Sequence, residues 1–262
     1  MDYTLFAGCS FTDGTGFHQN KSAPELWVNL LHNNVEALNK TQLLNVAKAG
    51  RSNAGIFSDA VYYLSKNNCK YAFVAWTSMP RYELEVGLET YDTRQCFIPN
   101  APTRTHNLND CKYDSVYLDS IRDRFTSLAH LHYEILNLVY YINSLIELAK
   151  LKKTKIFFIN SLCPWDQEYF DTVENVLPNQ YTKFTQQLLN VDRRDDDEIF
   201  QIYKKIHTQY QDYGGINKNY WLNLYSSMRH RQIDTNSNNI HPGINSNQVY
   251  YSQFLQALEN KL

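Results

Sequence analysis

The chain has 262 residues, of which 43% are hydrophobic and 20% are charged, with a formal net charge of −2 at pH 7. These values are typical of one folded domain, and the lack of a basic excess argues against a dedicated nucleic-acid partner. No apolar stretch approaches the length of a membrane span, so no membrane association is expected. The opening Met-Asp-Tyr-Thr-Leu has no basic signal region, and five cysteines without paired spacing favour a reducing, cytoplasmic location.

Strand and helix patterns alternate along the first third of the chain. Pro24 is expected in the first turn of a helix, where its missing N–H costs nothing. Asn53 is expected to be the N-cap of the next helix. The predicted elements are a strand over Tyr3–Gly8, a helix over Ala23–Asn33, a strand over Leu43–Val46, a helix over Asn53–Ser65 and a strand over Tyr71–Trp76.

The alternation breaks at residues 80–112, where prolines lie among polar residues without a sustained period. This segment is predicted to be an inserted loop or cap. The later predicted elements are a long helix over 114–150, a strand over Lys155–Asn160, mainly helical structure over 165–230 and a last helix over 246–259. The expected fold class is therefore α/β, with residues 1–262 forming a single three-layer α/β/α sandwich around a mostly parallel sheet.

Small polar residues follow each of the first three predicted strands. Gly8-Cys9-Ser10 follows the first strand, Gly50 the second, and Thr77 and Ser78 the third. Parallel strands bring their carboxyl ends to one edge of the sheet, where open α/β folds bind ligands. His241 lies just before the last helix. A serine and a histidine that meet at such an edge form a nucleophile–base pair.

In order and spacing, these segments resemble the SGNH (GDSL-type) hydrolases. That family has Gly-x-Ser after the first strand, a glycine after the second, an asparagine after the third and Asp-x-x-His near the carboxyl terminus. The similar segments here are Gly8-Cys9-Ser10-Phe11-Thr12, Asn45-Val-Ala-Lys-Ala-Gly50-Arg-Ser-Asn53 and His241-Pro242-Gly243. The resemblance implies a flavodoxin-like SGNH hydrolase fold and a serine esterase that hydrolyses or transfers an acyl ester. The suggested substrate is an O-acyl group on a carbohydrate or another small ester.

The resemblance also implies roles for individual residues. Ser10 would be the nucleophile and His241 the base that accepts its proton. The N–H groups of Ser10 and Gly50 would stabilise the oxyanion. The family's third donor is an asparagine, and its place here is taken by Thr77 or Ser78.

The third member of the catalytic triad departs from the family pattern. Asn238 stands three residues before His241, where the family has aspartate. Asp234, or a backbone carbonyl, is an alternative partner for the ring. In serine proteases the change from Asp to Asn lowers the rate about 10⁴-fold. A second hypothesis is therefore a weak or inactive SGNH-like domain that binds a glycan or protein partner, for example in a viral or cell-surface assembly.

Two further residues are candidates for substrate contact. Asn53 has capping as its alternative role, and Arg81 can instead pair with Glu83 on the insertion.

No cofactor or metal is expected, because the chain has no P-loop, dinucleotide fingerprint or His-Glu-x-x-His motif. His130 and His132 are spaced so that they point to different helix faces, and a zinc site of Cys96, His106 and Cys111 is disfavoured.

Overall fold

The computed structural model describes residues 1–17, 20–77, 82–85, 94–97, 128–161, 218–223, 228, 231–235, 241–259 and 261–262. The strands are β1 (Tyr3–Ala7), β2 (Gln42–Asn45), β3 (Cys69–Trp76), β4 (Tyr82–Glu85), β5 (Arg94–Phe97) and β6 (Lys155–Asn160). The α-helices are α1 (Trp27–Asn34), α2 (Glu36–Asn39), α3 (Asn53–Lys66), α4 (Leu128–Lys152) and α5 (Ile244–Glu259). Short 3-10 turns cover Thr15–Phe17 and Lys218–Tyr220.

The main sheet is parallel and has the order β2-β1-β3-β6. The chain runs from β1 outward to β2 and then returns past β1 to build β3 and β6. This is the flavodoxin-like order, in which the strand order reverses between β1 and β3. Ligands of such folds bind outside the carboxyl ends of those two strands. The predicted α/β class with a mostly parallel sheet is confirmed.

Helices cover both faces of this sheet. Right-handed crossovers place α1 and α2 on one face and α3 and α4 on the other. On the first face, the Trp27 ring of α1 packs edge-on against Phe6 at 5.7 Å and against Phe254 of α5 at 5.1 Å between centroids. On the second face, Phe57 of α3 stacks on Tyr141 of α4 at 4.5 Å. The three-layer arrangement follows from these two helix pairs.

The core is centred on a row of aromatic side chains that crosses the sheet. Phe6, Phe73 and Phe157 occupy paired positions on β1, β3 and β6, and their rings stack at 4.7 and 5.2 Å between centroids. Phe6 and Phe73 are fully buried. Each large apolar side chain buried in this way contributes about 1.5–3 kcal/mol relative to exposure. This row of stacked rings therefore holds β1, β3 and β6 together in the core.

Two expectations about helix starts are wrong. The first helix begins at Trp27 rather than Ala23, and Pro24 lies in the turn that precedes it. The N-cap of α3 is Ser52 rather than Asn53, because the Ser52 hydroxyl accepts the Gly55 N–H at 3.1 Å. Both residue types favour N-cap positions, so the sequence pattern does not decide between neighbours.

The segment 80–112 contains a β-hairpin that the sequence pattern did not predict. Its strands β4 and β5 pair antiparallel, with Tyr82 opposite Phe97, and form a sheet of their own. The rest of this segment and most of 165–230 lie outside the described residues. Within the second segment, Trp221 forms a parallel bridge with Phe158 on the outer side of β6, where helical structure was expected. Among the described helices, none has both the length and the apolarity needed to cross a membrane.

Candidate functional site

Ser10 lies in a tight turn directly after β1. The N–H groups of Thr12 and Asp13 both donate to the Cys9 carbonyl, at 2.9 and 3.1 Å. Gly8 makes this turn feasible, because a Cβ there would lie 2.6 Å from Thr12 Oγ1 and 3.1 Å from the Cβ of Ala75 on β3. Ser10 itself is only 7% exposed. Close packing of β1 on β3 thus fixes the position of this serine.

The loop after β2 (residues 46–51, the Gly50 loop) runs beside the Ser10 turn. The Lys48 N–H donates to the Gly8 carbonyl at 3.1 Å, which extends the ladder between β1 and β2 beyond the strands. The Asn45 side-chain amide donates to the Thr12 carbonyl at 2.9 Å. These bonds hold the two loops together at the carboxyl edge of the sheet.

Two charged side chains, the buried Asp13 and the half-buried Lys21, also contact the loops at this edge. The Asp13 carboxylate accepts the N–H and hydroxyl of Thr15, at 2.7 and 2.5 Å, and the Ala49 N–H of the Gly50 loop acts to lower its pKa. Burial raises the pKa of Asp13 despite these bonds and the nearby charge of Lys21. The Lys21 ammonium donates to the Ala47 carbonyl at 2.6 Å, and burial lowers the pKa of this lysine.

An ion pair connects the other end of the Gly50 loop to α3. The Arg51 guanidinium donates through Nε and Nη2 to the two Asp59 carboxylate oxygens, at 2.8 and 2.7 Å. The two side chains are only 10% and 16% exposed. Sequence analysis missed this pair because its members lie on a loop and a helix, eight residues apart, without a local pattern.

Gly50 itself has a backbone conformation that favours glycine, with φ at 76°. Within the described part of the chain, the N–H groups of Gly50 and Ser10 donate no backbone hydrogen bond. Both donors can therefore serve a bound group.

The carboxyl end of β3 is locked to the start of α3 by Asn53. The Thr77 N–H donates to Asn53 Oδ1 at 2.9 Å, and Asn53 Nδ2 donates to the Thr77 carbonyl at 3.1 Å. The Asn53 amide thus holds backbone, and its predicted contact with substrate stays a prediction. The Thr77 hydroxyl is fully buried and has no hydrogen-bond partner among the described residues. It is a donor placed at the point where the strand order reverses.

His241 is brought against the Ser10 turn by contacts through Phe11. The imidazole is 9% exposed, and its centroid lies 6.1 Å from that of Phe11, the residue after Ser10. Trp27 Nε1 donates to the Phe11 carbonyl at 2.9 Å, while the Trp27 N–H donates to Asn247 Oδ1 at 3.0 Å. Helix α1 therefore links the Ser10 turn to the start of α5, the helix that follows His241.

Gly243 stands at the start of α5 and has no side chain that could cap the helix. The Asp234 side chain caps it instead. Its carboxylate accepts the N–H groups of Asn245 at 2.9 Å and Ser246 at 2.7 Å, and also the Ser246 hydroxyl. Burial acts to raise the pKa of Asp234, but the bonds from Ser246, Asn245 and Gly243 outweigh it and lower the pKa. A Cβ on Gly243 would lie 2.6 Å from Asp234 Oδ2, so glycine is required for this contact. Its predicted pairing with His241 stays a prediction.

Three residues predicted for the site, Ser78, Arg81 and Asn238, lie outside the described residues. Of the others, Ser10, Gly50 and Thr77 lie at the same edge of the sheet, and His241 adjoins it through Phe11. In the ranges that the structure covers, no group of three or more His, Cys, Asp or Glu side chains is arranged to hold a metal ion.

No family model matches the chain, and no curated protein is significantly similar to it in sequence. Among solved structures, it is similar to TesA, with 9% identity, full coverage of both chains and a TM-score of 0.49. It is also similar to the psychrotrophic esterase EstA from Pseudoalteromonas sp., with 10% identity, coverage of 98% and 97%, and a TM-score of 0.44. A member of the lipolytic protein G-D-S-L family from Veillonella parvula has 12% identity, full coverage of both chains and a TM-score of 0.44. At these identities and TM-scores, the similarities say nothing about what this chain does.

Proposed function

We propose that this protein is a serine hydrolase of acyl esters, with Ser10 as nucleophile and His241 as general base. The observation that carries the proposal is the place of Ser10 in the crevice between β1 and β3, with His241 packed against the neighbouring Phe11. Open α/β sheets bind their ligands in this crevice. Both side chains are largely buried, which favours a defined geometry over two mobile surface groups.

The bonds made and broken in the reaction involve only these two side chains, the ester and water. As the Ser10 hydroxyl oxygen bonds to the ester carbonyl carbon, His241 takes the hydroxyl proton. The tetrahedral intermediate collapses by breaking the bond to the alcohol, which leaves with the proton that His241 held. Water then attacks the acyl-enzyme, with His241 again as base, and releases the carboxylic acid and the Ser10 hydroxyl. Another acceptor alcohol in place of water makes the same enzyme an acyltransferase.

The oxyanion of each tetrahedral intermediate is stabilised by donors already fixed at the sheet edge. The N–H groups of Ser10 and Gly50 are two of them, and the Thr77 hydroxyl is the third. Such donors are effective because they need no reorganisation during the reaction, and losing one typically costs about 10²–10³ in rate.

For the substrate, we propose an O-acyl group on a carbohydrate, as the family resemblance suggests. Hydrolysis of p-nitrophenyl acetate alone would establish esterase chemistry. Release of acetate from an acetylated oligosaccharide, at a kcat/KM above that for the activated ester, would establish the carbohydrate preference. We place the reaction in the cytoplasm.

A fluorophosphonate probe tests the proposal, because only an activated serine reacts with it quickly. The wild-type protein should be labelled, and Ser10→Ala should not. Ser58→Ala, which removes an exposed serine on α3, should be labelled like the wild type. A folded wild-type protein that fails to react, or equal labelling of Ser10→Ala, would refute the proposed nucleophile.

The capping role of Asp234 favours a second candidate function. The carboxylate that could orient the His241 ring is already engaged by the first turn of α5. If His241 is for that reason too weak a base for turnover, the domain binds a glycan or protein partner without turning it over. Retained binding to immobilised acetylated glycans by both the wild type and Ser10→Ala, without labelling of either, would identify this function.

A further inference from the structure

Gly50 lies between two residues that are each anchored to a carboxylate. On its amino-terminal side, the Ala49 N–H interacts with the Asp13 carboxylate in the turn after β1 and acts to lower its pKa. On its carboxyl-terminal side, Arg51 forms its two-bond ion pair with Asp59 on α3. The two carboxylates belong to different elements on either side of the loop.

A glycine needs such anchors if its N–H is to point in one direction. Glycine populates positive and negative φ about equally, so Gly50 does not hold its own φ of 76°. An oxyanion donor works only when it is held in the direction of the developing charge. The Arg51 N–H donates to the Lys48 carbonyl at 3.3 Å and closes a turn around Gly50, but this long bond leaves the orientation of the turn relative to Ser10 to other groups.

Both carboxylates are well suited to fix the backbone on either side of Gly50. A planar guanidinium that forms two parallel bonds to a carboxylate is more directional than a single hydrogen bond. Low solvent exposure of Arg51 and Asp59 reduces screening by water and salt. Asp13 is 4% exposed and is held in turn by Thr15 and by the charge of Lys21.

We propose that Asp13 and Asp59 are positioning residues, which together hold the Gly50 N–H toward the Ser10 oxyanion site. This inference rests on the proposed function. Neither carboxylate touches the substrate; each acts through the residue next to Gly50. The pair therefore affects the transition state rather than the binding of substrate.

The test measures the second-order rate of fluorophosphonate labelling, together with kcat and KM for p-nitrophenyl acetate. Asp59→Asn preserves shape but removes the charge that orients Arg51, and Asp13→Ala removes the carboxylate that interacts with the Ala49 N–H. Each should lower the labelling rate and kcat about ten-fold or more with KM nearly unchanged, as expected when only transition-state contacts are weakened. Asp59→Glu, which can pair again with Arg51, should recover most of the rate. Glu36→Gln, which breaks the exposed pair with Lys40 on α2, is the matched control and should label like the wild type.

The outcomes distinguish this inference from the proposed function. If wild-type protein is not labelled, the proposed function itself fails. If the wild type is labelled but folded Asp59→Asn and Asp13→Ala keep its rate, or lose rate only in proportion to their unfolded fraction by circular dichroism, the positioning inference is overturned. An increase in KM with kcat unchanged would overturn it as well. If one variant does not fold, the other decides by the same measurements.

Discussion

The two halves of the candidate site are held by different kinds of structure. Ser10, Gly50 and Thr77 follow strands of the central sheet, and their loops are fixed by backbone bonds and core packing. His241 precedes α5 and is positioned through side chains, chiefly the bonds of Trp27 to Phe11 and Asn247. The core therefore sets the position of the nucleophile, whereas a few separate hydrogen bonds set the position of the base.

The largest effect is expected from removing the base. His241→Ala should lower turnover of p-nitrophenyl acetate about 10³-fold or more, because Ser10 then lacks a proton acceptor. His32→Ala, which removes a histidine of α1 bonded to the Thr41 carbonyl, is the matched control and should keep normal turnover. Steady-state kinetics of both variants would settle the point. Full activity of His241→Ala would show that His241 is not the base that accepts the Ser10 proton.

The next effect concerns the Thr77 hydroxyl in the sheet-based half. Thr77→Val should lower kcat about 10²-fold through loss of one oxyanion donor. Its free energy of unfolding should stay equal or rise by about 1 kcal/mol, because a buried hydroxyl that finds no partner in the described structure is removed. Thr12→Val removes another such buried hydroxyl and is the matched control for stability. Urea unfolding and ester kinetics measure the two effects. If Thr77→Val loses stability but keeps its kcat, the Thr77 hydroxyl has a structural role and is not an oxyanion donor.

On the His241 side of the site, the next expected effect concerns the cap of α5. Asp234→Ala should lower the free energy of unfolding by about 1 kcal/mol, while Asp234→Asn, which keeps an acceptor, should lose less. Because the folded protein holds the pKa of Asp234 below its ordinary 3.8, the carboxylate's contribution is present above that pH. It is lost as the pH falls through the lowered value. The melting temperatures of the wild type and of Asp234→Ala should therefore converge as the pH is lowered. A loss of turnover in Asp234→Asn at unchanged stability would instead identify Asp234 as the partner of His241.

The smallest effect is expected at the start of α3. Ser52→Ala should cost about 1 kcal/mol of stability by removing the acceptor for the Gly55 N–H. Ser58→Ala, at an exposed position of the same helix, should cost little. Urea unfolding of the two variants makes the comparison. Equal stability losses would mean that the Ser52 hydroxyl is not an effective cap.

The sequence predicted the elements that depend on apolar pattern. The run Lys155–Asn160 coincides with β6, since a strand buried on both faces is a continuous apolar segment. The predicted strand Tyr71–Trp76 is two residues shorter than β3, which begins at Cys69. The prediction left out Cys69 and Lys70 because the exposed Lys70 interrupts the apolar run. The β4–β5 hairpin was missed because its polar residues show no sustained alternation.

The candidate site was predictable only where residues follow strands. Ser10 and Thr77 lie at the carboxyl edge because strand ends converge there in any parallel sheet. The links from Arg51 to Asp59 and from Asn53 to Thr77 join segments whose proximity depends on how α3 packs on the sheet. No spacing in the sequence encodes that proximity.

A crystal structure of the phosphonylated protein would show directly whether Ser10, Gly50, Thr77 and His241 form one active site. We predict phosphorus bonded to Ser10 Oγ, with one phosphonyl oxygen about 3 Å from the Gly50 N–H nitrogen and the Thr77 hydroxyl, and the His241 ring within hydrogen-bond reach. A phosphonyl group on another residue, or one whose oxygens point away from Gly50 and Thr77, would contradict the claim that this edge of the sheet is the active site.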